Sequence, residues 1–319
     1  MTTTKKDTII YLIKEYLVLF GIIVFAVITA IVEPRFLSAD NFTNIARQFG
    51  GLAFVALGMT FVIISGYIDL SVAGMLSLCA VLSLMAVNAF GPAAGILVSL
   101  IVGAVCGLIN GIFLTVVGAD TQAKALFITY GTSMMFTATA LMISGGATYH
   151  LDGGYKLMEA LGSGKIGIVP VSFVLLIIVV AILHFFHKET YMGAVVTYTG
   201  SNPVAADLTG MPIKKAKILV YTLCGVLTSV AAVILYCRTT SAKPTIGMGY
   251  ETNAILSVVV GGTALAGGKG SVLRTIIGCT VVTLMGNCLN LLGVSIYAQT
   301  VLRGLIMVIA IWLDNRKDN

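Results

Sequence analysis

Charge is the scarcest property of this sequence. Only 10% of its 319 residues are Asp, Glu, Lys or Arg, against 58% hydrophobic residues. Soluble domains carry roughly 25% charged residues, so a water-exposed globule is excluded for most of the chain. A mean hydropathy of +1.02 points to a bilayer as solvent, where a spanning helix needs about 20 apolar residues. Histidine is scarce too: His150, His184 and His187 have no partners at ligand spacing, which argues against a metal centre. The six cysteines, Cys79, Cys106, Cys224, Cys237, Cys279 and Cys288, form no C-x-x-C pair and lie in or beside apolar segments. They read as small core hydrophobes. No Ser–His, Cys–His or paired-carboxylate set falls inside the apolar segments, which disfavours an intramembrane enzyme. The net charge of +6 does not point to nucleic acid, because the basic residues sit in short connectors with no aromatic patch beside them.

What the chain does have is long apolar runs, near 16–32, 45–65, 72–88, 91–118, 125–144, 167–186, 217–237, 255–266, 275–292 and 296–313. They predict an all-α polytopic membrane protein with about ten transmembrane helices. The run 255–266 is too short to cross alone at 1.5 Å per residue, so broken or re-entrant segments are expected, and an eight-pass arrangement is the alternative. Lys5 and Lys6 precede the first run as in a signal peptide. That run is long for such a segment and ends at Glu33-Pro34-Arg35 without a small-residue cleavage site, so it reads as a retained helix. With the N-terminus inside, twelve basic residues fall in inside connectors, among them Lys188, Lys214, Lys215 and Lys217, against six outside. This bias predicts both termini in the cytoplasm. The connectors are short, and residues 1–319 read as one transmembrane domain with its main cytoplasmic loop at about 187–216.

Three stretches carry candidate chemistry. The first is GGTALAGGKGS (261–271), which has the look of a phosphate loop. Counting G-x-x-x-x-G-K-[ST] from Gly262, the second glycine falls at Gly267, but Gly268 stands where lysine is required. The register removes the nucleotide reading. Glycines here allow a helix to break and backbones to approach closely, as a tight turn or as the wall of a pathway. The second is ISGYIDLSVAGM (64–75). Asp69 is an acid set well inside apolar sequence, where a carboxylate is expensive. It either lines a polar path, with Arg303 as a candidate partner, or caps the helix that starts near Leu70 while Arg303 snorkels. Tyr67, Ser71, Asn110, Thr263 and Asn290 are the accompanying candidates for a substrate pathway, with Tyr130, Ser133 and Asn287 as further intramembrane polar groups. The third is TGSNPVAADLTGMPIKKAK (199–217). Asn202 suits an N-cap, Pro203 the first helical position, and Gly210 a left-handed terminus before Pro212. A rigid helix of about two turns follows, either a docking element for a partner groove or an ordinary interfacial helix.

At these residues the chain resembles a known family. GMTFVIISGYIDLSVAGM, the G-S-N-P-x-A-A-x-L-x-G-M-P loop, GYETNAILSVVVGGTALAGGKGSV and LNLLGVSIYAQTVLRGLIMVIAIWLD are together similar to the permeases of bacterial ABC sugar importers. This is the ribose, xylose and galactose group, and the likeness covers about residues 35–315. The resemblance implies an inner-membrane permease that pairs with a second copy and receives its sugar from a periplasmic binding protein. It also implies that a separate cytoplasmic ATPase, which holds ATP and magnesium, drives it, so the chain itself carries no cofactor and no catalytic site. It further implies that Gly200, Asn202, Pro203, Ala205, Ala206, Asp207 and Gly210 form the segment that seats in that ATPase. A nucleoside or branched-chain amino acid as solute, or an ion-coupled secondary transporter, are the alternatives. The chain departs from the pattern at Tyr67, where a second glycine is usual, at Asp120 and Lys124 in GADTQAKALFITYG, and at Arg274.

Overall fold

The computed structural model describes residues 21–167 and 169–315. Lys5, Lys6 and Lys14, the start of the first apolar run, and Arg316 and Lys317 lie outside the described residues. The chain is almost wholly helical: α1 (Gly21–Val32), then α2 (Ala39–Ile64), α3 (Val72–Phe90), α4 (Pro92–Val116), α5 (Gln122–Ser144), α6 (Lys156–Gly162), α7 (Val171–Glu189), α8 (Tyr191–Ser201), α9 (Pro203–Leu208), α10 (Ile213–Thr239), α11 (Tyr250–Val260), α12 (Val272–Leu291) and α13 (Ile296–Asn315). Seven of these, α2, α3, α4, α5, α7, α10 and α12, are long and apolar enough to cross a membrane.

The helices run between two ends. At one end two short antiparallel ladders form, β1 (Tyr149–His150) with β4 (Ser241–Ala242) and β2 (Lys165–Ile166) with β3 (Val169–Pro170). Asn88 Nδ2 donates to the His150 carbonyl there at 2.8 Å, and Arg47 Nη2 to that of Ser163 at 2.5 Å. The opposite end gathers α8, α9, the 117–121 turn and the stretches 65–71 and 261–271. Lys217 Nζ donates to the Ala119 carbonyl at 2.8 Å, and Gln122 Nε2 to that of Leu265 at 2.9 Å. These are called the β end and the α9 end below.

α2 is the central post, with every residue from Phe49 to Ile64 buried. It begins six residues before the hydropathy suggests. Ser38 Oγ accepts from Asn41 N at 3.2 Å, and the polar first turns of α2 hide it from an apolar count. α4 and α10 pack closely because Gly103, Gly107 and Gly111 leave no Cβ between them and the backbone of Gly225, Tyr221 and Ile218. The outer faces of α4, α5 and α7 expose Leu97, Ile101, Phe127, Met134, Ile177, Ile182 and Phe185. A surface this apolar is stable only against lipid or protein. All six cysteines are free and buried. The loop at 187–216 departs from expectation: it holds two helices, α8 and α9, where the capping signals marked only the second.

Candidate transport site

Two interrupted helix pairs set the site. α2 ends at Ile64 and turns at Gly66, whose φ of +85° favours a residue without Cβ. Gly66 N donates to the Ile63 carbonyl at 2.9 Å and Tyr67 N to that of Val62 at 3.1 Å. α11 ends in the same way. Gly262, at φ +84°, donates to the Val259 carbonyl at 2.8 Å, and Thr263 N to that of Val258 at 3.2 Å. The two breaks thus repeat one helix ending, with Gly66 matched to Gly262 and Tyr67 to Thr263. After each break a helix, α3 or α12, returns toward the β end.

Asp69 organises the first break. Its Oδ1 accepts from Ser71 N at 2.8 Å and from Ser71 Oγ at 2.5 Å, and Asn110 Nδ2 of α4 donates to Ser71 Oγ at 2.6 Å. All three residues are fully buried. The Ile68 carbonyl accepts from Tyr221 Oη at 3.2 Å, and Leu70 N donates to Thr129 Oγ1 at 3.1 Å. The second half of the break is thus tied to α4, α5 and α10 at Ser71, Leu70 and Ile68. Asp69 and Arg303 do not pair, and Arg303 lies toward the β end, where its Nη2 donates to Gln299 Oε1 at 3.4 Å. Tyr67, one of the departures from the family pattern, lies under Lys217, whose Nζ is 4.7 Å from the ring centre.

The two breaks and α8 meet at one point. Gly268 N donates to the Ile64 carbonyl at 2.8 Å. A Cβ on Gly200 would strike that same carbonyl and Gly268 N, and a Cβ on Gly267 would strike Gly66. Ser201 Oγ adds a bond to the Gly268 carbonyl at 3.4 Å. The glycine-rich stretch is therefore a tight turn whose amide at Gly268 is spent on a helix carbonyl. No single residue advertised this junction in the sequence, although its glycines did. α9 leads away from it. Asn202 Oδ1 accepts from Ala205 N at 3.0 Å, Pro203 opens the helix, and Gly210 at φ +76° closes it. Of its residues only Ala206 is buried, while Val204 and Leu208 are 68% and 83% exposed.

The six expected pathway residues thus fall in three places. Asp69, Ser71 and Asn110 share one cluster with Tyr67 on its flank. Thr263 is buried in the second break. Asn290 is at the β end, where its Oδ1 accepts from Gln299 Nε2 at 2.8 Å. Asn287 exchanges two amide hydrogen bonds with Asn41, and Tyr130 faces outward. A hydroxyl bridge that the sequence reading missed, Thr60 to Thr275 at 2.7 Å, joins α2 to α12 near the junction. Its only sequence signal was a threonine inside each apolar helix.

Residues 41–311 match the model of the family described as "Branched-chain amino acid transport system / permease component". The chain belongs to this permease family. Within it, the ribose import permease protein of Haemophilus influenzae is 33% identical over 318 residues, covering 98% of this chain and 97% of that protein. The ribose import permease protein of Bacillus subtilis is 35% identical, covering 93% and 91%. The autoinducer 2 import system permease protein of Photorhabdus temperata is 31% identical, covering 88% and 85%. No solved structure matches. The permease match takes in both breaks and α8–α9 and stops within α13, so the whole junction lies inside the family region. Family membership and the seven helices, among the described residues, that are long and apolar enough to cross a membrane make the chain a multi-pass membrane protein.

Proposed function

We propose that this chain is the permease subunit of an ATP-binding-cassette importer that moves a small sugar across the bacterial inner membrane. Nearly full-length relatives named for ribose and autoinducer 2 import favour a sugar over a nucleoside or a branched-chain amino acid. The chain works as one transmembrane domain of ten passes: α1, α2, α3, α4, α5, α7, α10, α11 with its break, α12 and α13. The α9 end faces the cytoplasm, in keeping with Lys188, Lys214, Lys215, Lys269 and Arg274 in its connectors. Both termini lie on that side. A cytoplasmic ATPase, which binds ATP and magnesium, docks on α9. A periplasmic binding protein delivers sugar to the β end, and a second permease copy completes the path. The chain itself carries no catalytic group.

The observation that carries this reading is the three-way contact of Gly200, Ile64 and Gly268. A push on α9 reaches Gly200 directly, and from there both helix breaks. Nucleotide binding in the partner then favours one arrangement of the breaks over the other, and differential binding to the two arrangements gives direction to transport. Within α9, Asn202, Pro203 and Gly210 fix the helix and its exit, while Ala205, Asp207 and the exposed Val204 and Leu208 present the docking face. Ala206 anchors it. Asp69, Ser71 and Asn110 hold the first break in register, and Thr263 lines the second. The substitution Ala205→Asp, on a helix already solvent-exposed, leaves the chain inserted in the membrane but stops co-purification of the ATPase. Intact co-purification contradicts the docking assignment.

A further inference from the structure

At the β end, α2, α10, α11, α12 and α13 surround a cavity of about 300 Å³. Its polar wall includes Gln48, Arg238, Asn253, Thr283, Asn290 and Arg303, with Thr239 beside them, and its apolar remainder includes Leu52, Leu235 and the Tyr250 ring. Arg303 sits inside apolar α13, where a charged side chain is tolerated only against the bundle interior or a watery space. Its Nε is buried without a hydrogen-bond partner, and so is Thr283 Oγ1 across the cavity in α12. No carboxylate lines the wall, while Asn290 at its rim is exposed. Unspent donors beside an opening on the β end describe a place for a ligand that crosses from that side.

The donor and acceptor balance identifies the ligand class. Guanidinium groups only donate, but Gln48, whose amide nitrogen donates to Asn44 Oδ1 at 3.2 Å, keeps its carbonyl oxygen as an acceptor. Asn253 offers both kinds of group. An anion accepts only and leaves these acceptors unpaired, which costs affinity. Hydroxyl groups donate and accept and satisfy both. The Tyr250 ring and the leucines suit the C–H face of a sugar ring. The volume stands at the lower edge of the roughly 300–1,000 Å³ usual for small-molecule sites, enough for one monosaccharide-sized solute.

We propose that this cavity is an entry subsite for a neutral polyhydroxylated solute, a monosaccharide or sugar alcohol, held by Arg303, Thr283, Asn290 and Gln48. The proposal rests on the importer reading above. The test uses the permease purified with its co-purifying ATPase in lipid nanodiscs, with one added cysteine on the cavity wall away from the four binding residues, Thr239→Cys or, if that variant fails to fold, Gly286→Cys. The native cysteines are buried and give low background. A charged methanethiosulfonate reagent labels the added cysteine. In a panel of pentoses, hexoses and sugar alcohols, at least one member slows labelling about fivefold when it occupies most of the sites, and aldonates and sugar phosphates do not. Arg303→Gln removes that protection, measured against the variant's own rate of labelling in the absence of sugar. A cysteine that stays unlabelled, labelling slowed by no neutral member, or slowing by the anionic compounds alone overturns the subsite. Failure of the ATPase to co-purify with the unsubstituted chain overturns the importer reading instead.

Discussion

Asp69 reaches its partners over two residues of sequence and one helix of tertiary structure. Its cost inside apolar sequence was legible, and so was its proximity to Ser71. The contact with Asn110 was not, because 39 residues separate Asn110 from Ser71 and only the packing of α4 brings them together. Arg303, the other charge within apolar sequence, looked like a natural counter-ion, yet the alternation of helix direction carries it toward the β end. Ser71 is the N-cap residue of α3, so the hydrogen bonds from its N–H and hydroxyl to Asp69 brace the entry to that helix, and a brace needs an acceptor rather than a charge. Asp69→Asn keeps the acceptor and retains transport within about twofold, whereas Asp69→Ala leaves buried donors unpaired and costs about 1–3 kcal/mol of stability, read as a lower Tm of the detergent-purified protein. Loss of transport in Asp69→Asn with an unchanged Tm contradicts the bracing role and supports a charge in the path.

At the scale of elements, the short α9 was the most legible part of the chain, since Asn202, Pro203 and Gly210 each state a backbone conformation. α8 was not, because Tyr191–Ser201 mixes threonine, valine and glycine without a helical apolar period, and it is held by packing on α7 and α10. The stripe Gly95, Ser99, Gly103, Gly107 and Gly111 on α4 recurs every four residues and is a sequence signal for close helix contact, yet its partner, α10, could not be named before the fold was known. The junction of α8 with both breaks is likewise tertiary. It predicts that Gly200→Ala, whose new methyl meets the Ile64 carbonyl and Gly268 N, costs roughly 1–3 kcal/mol by overpacking and uncouples ATP hydrolysis from uptake. Gly131→Ala serves as the comparison, since its Cβ meets nothing within 4 Å, and it leaves both unchanged. Coupled uptake at the normal rate in Gly200→Ala contradicts the junction as the link between α9 and the breaks.

Over the whole molecule, the repeated helix endings at Gly66 and Gly262 place two turns side by side at the end that carries α9, while a polar cavity opens at the other. Apolar run lengths gave the membrane and most of the long helices. They could not show that α11 stops at Val260 and that the chain then folds back on α2, because that depends on which carbonyl takes the Gly268 amide. Under the proposed function, this chain moves a solute only when another protein hydrolyses ATP against α9. The direct measurement is uptake of labelled sugar into proteoliposomes holding the chain alone, the chain with its ATPase, and both with the binding protein and ATP. Uptake is expected only in the complete, ATP-supplied system, with none by the chain alone under a proton or sodium gradient. Gradient-driven uptake by the chain alone would contradict the proposed function.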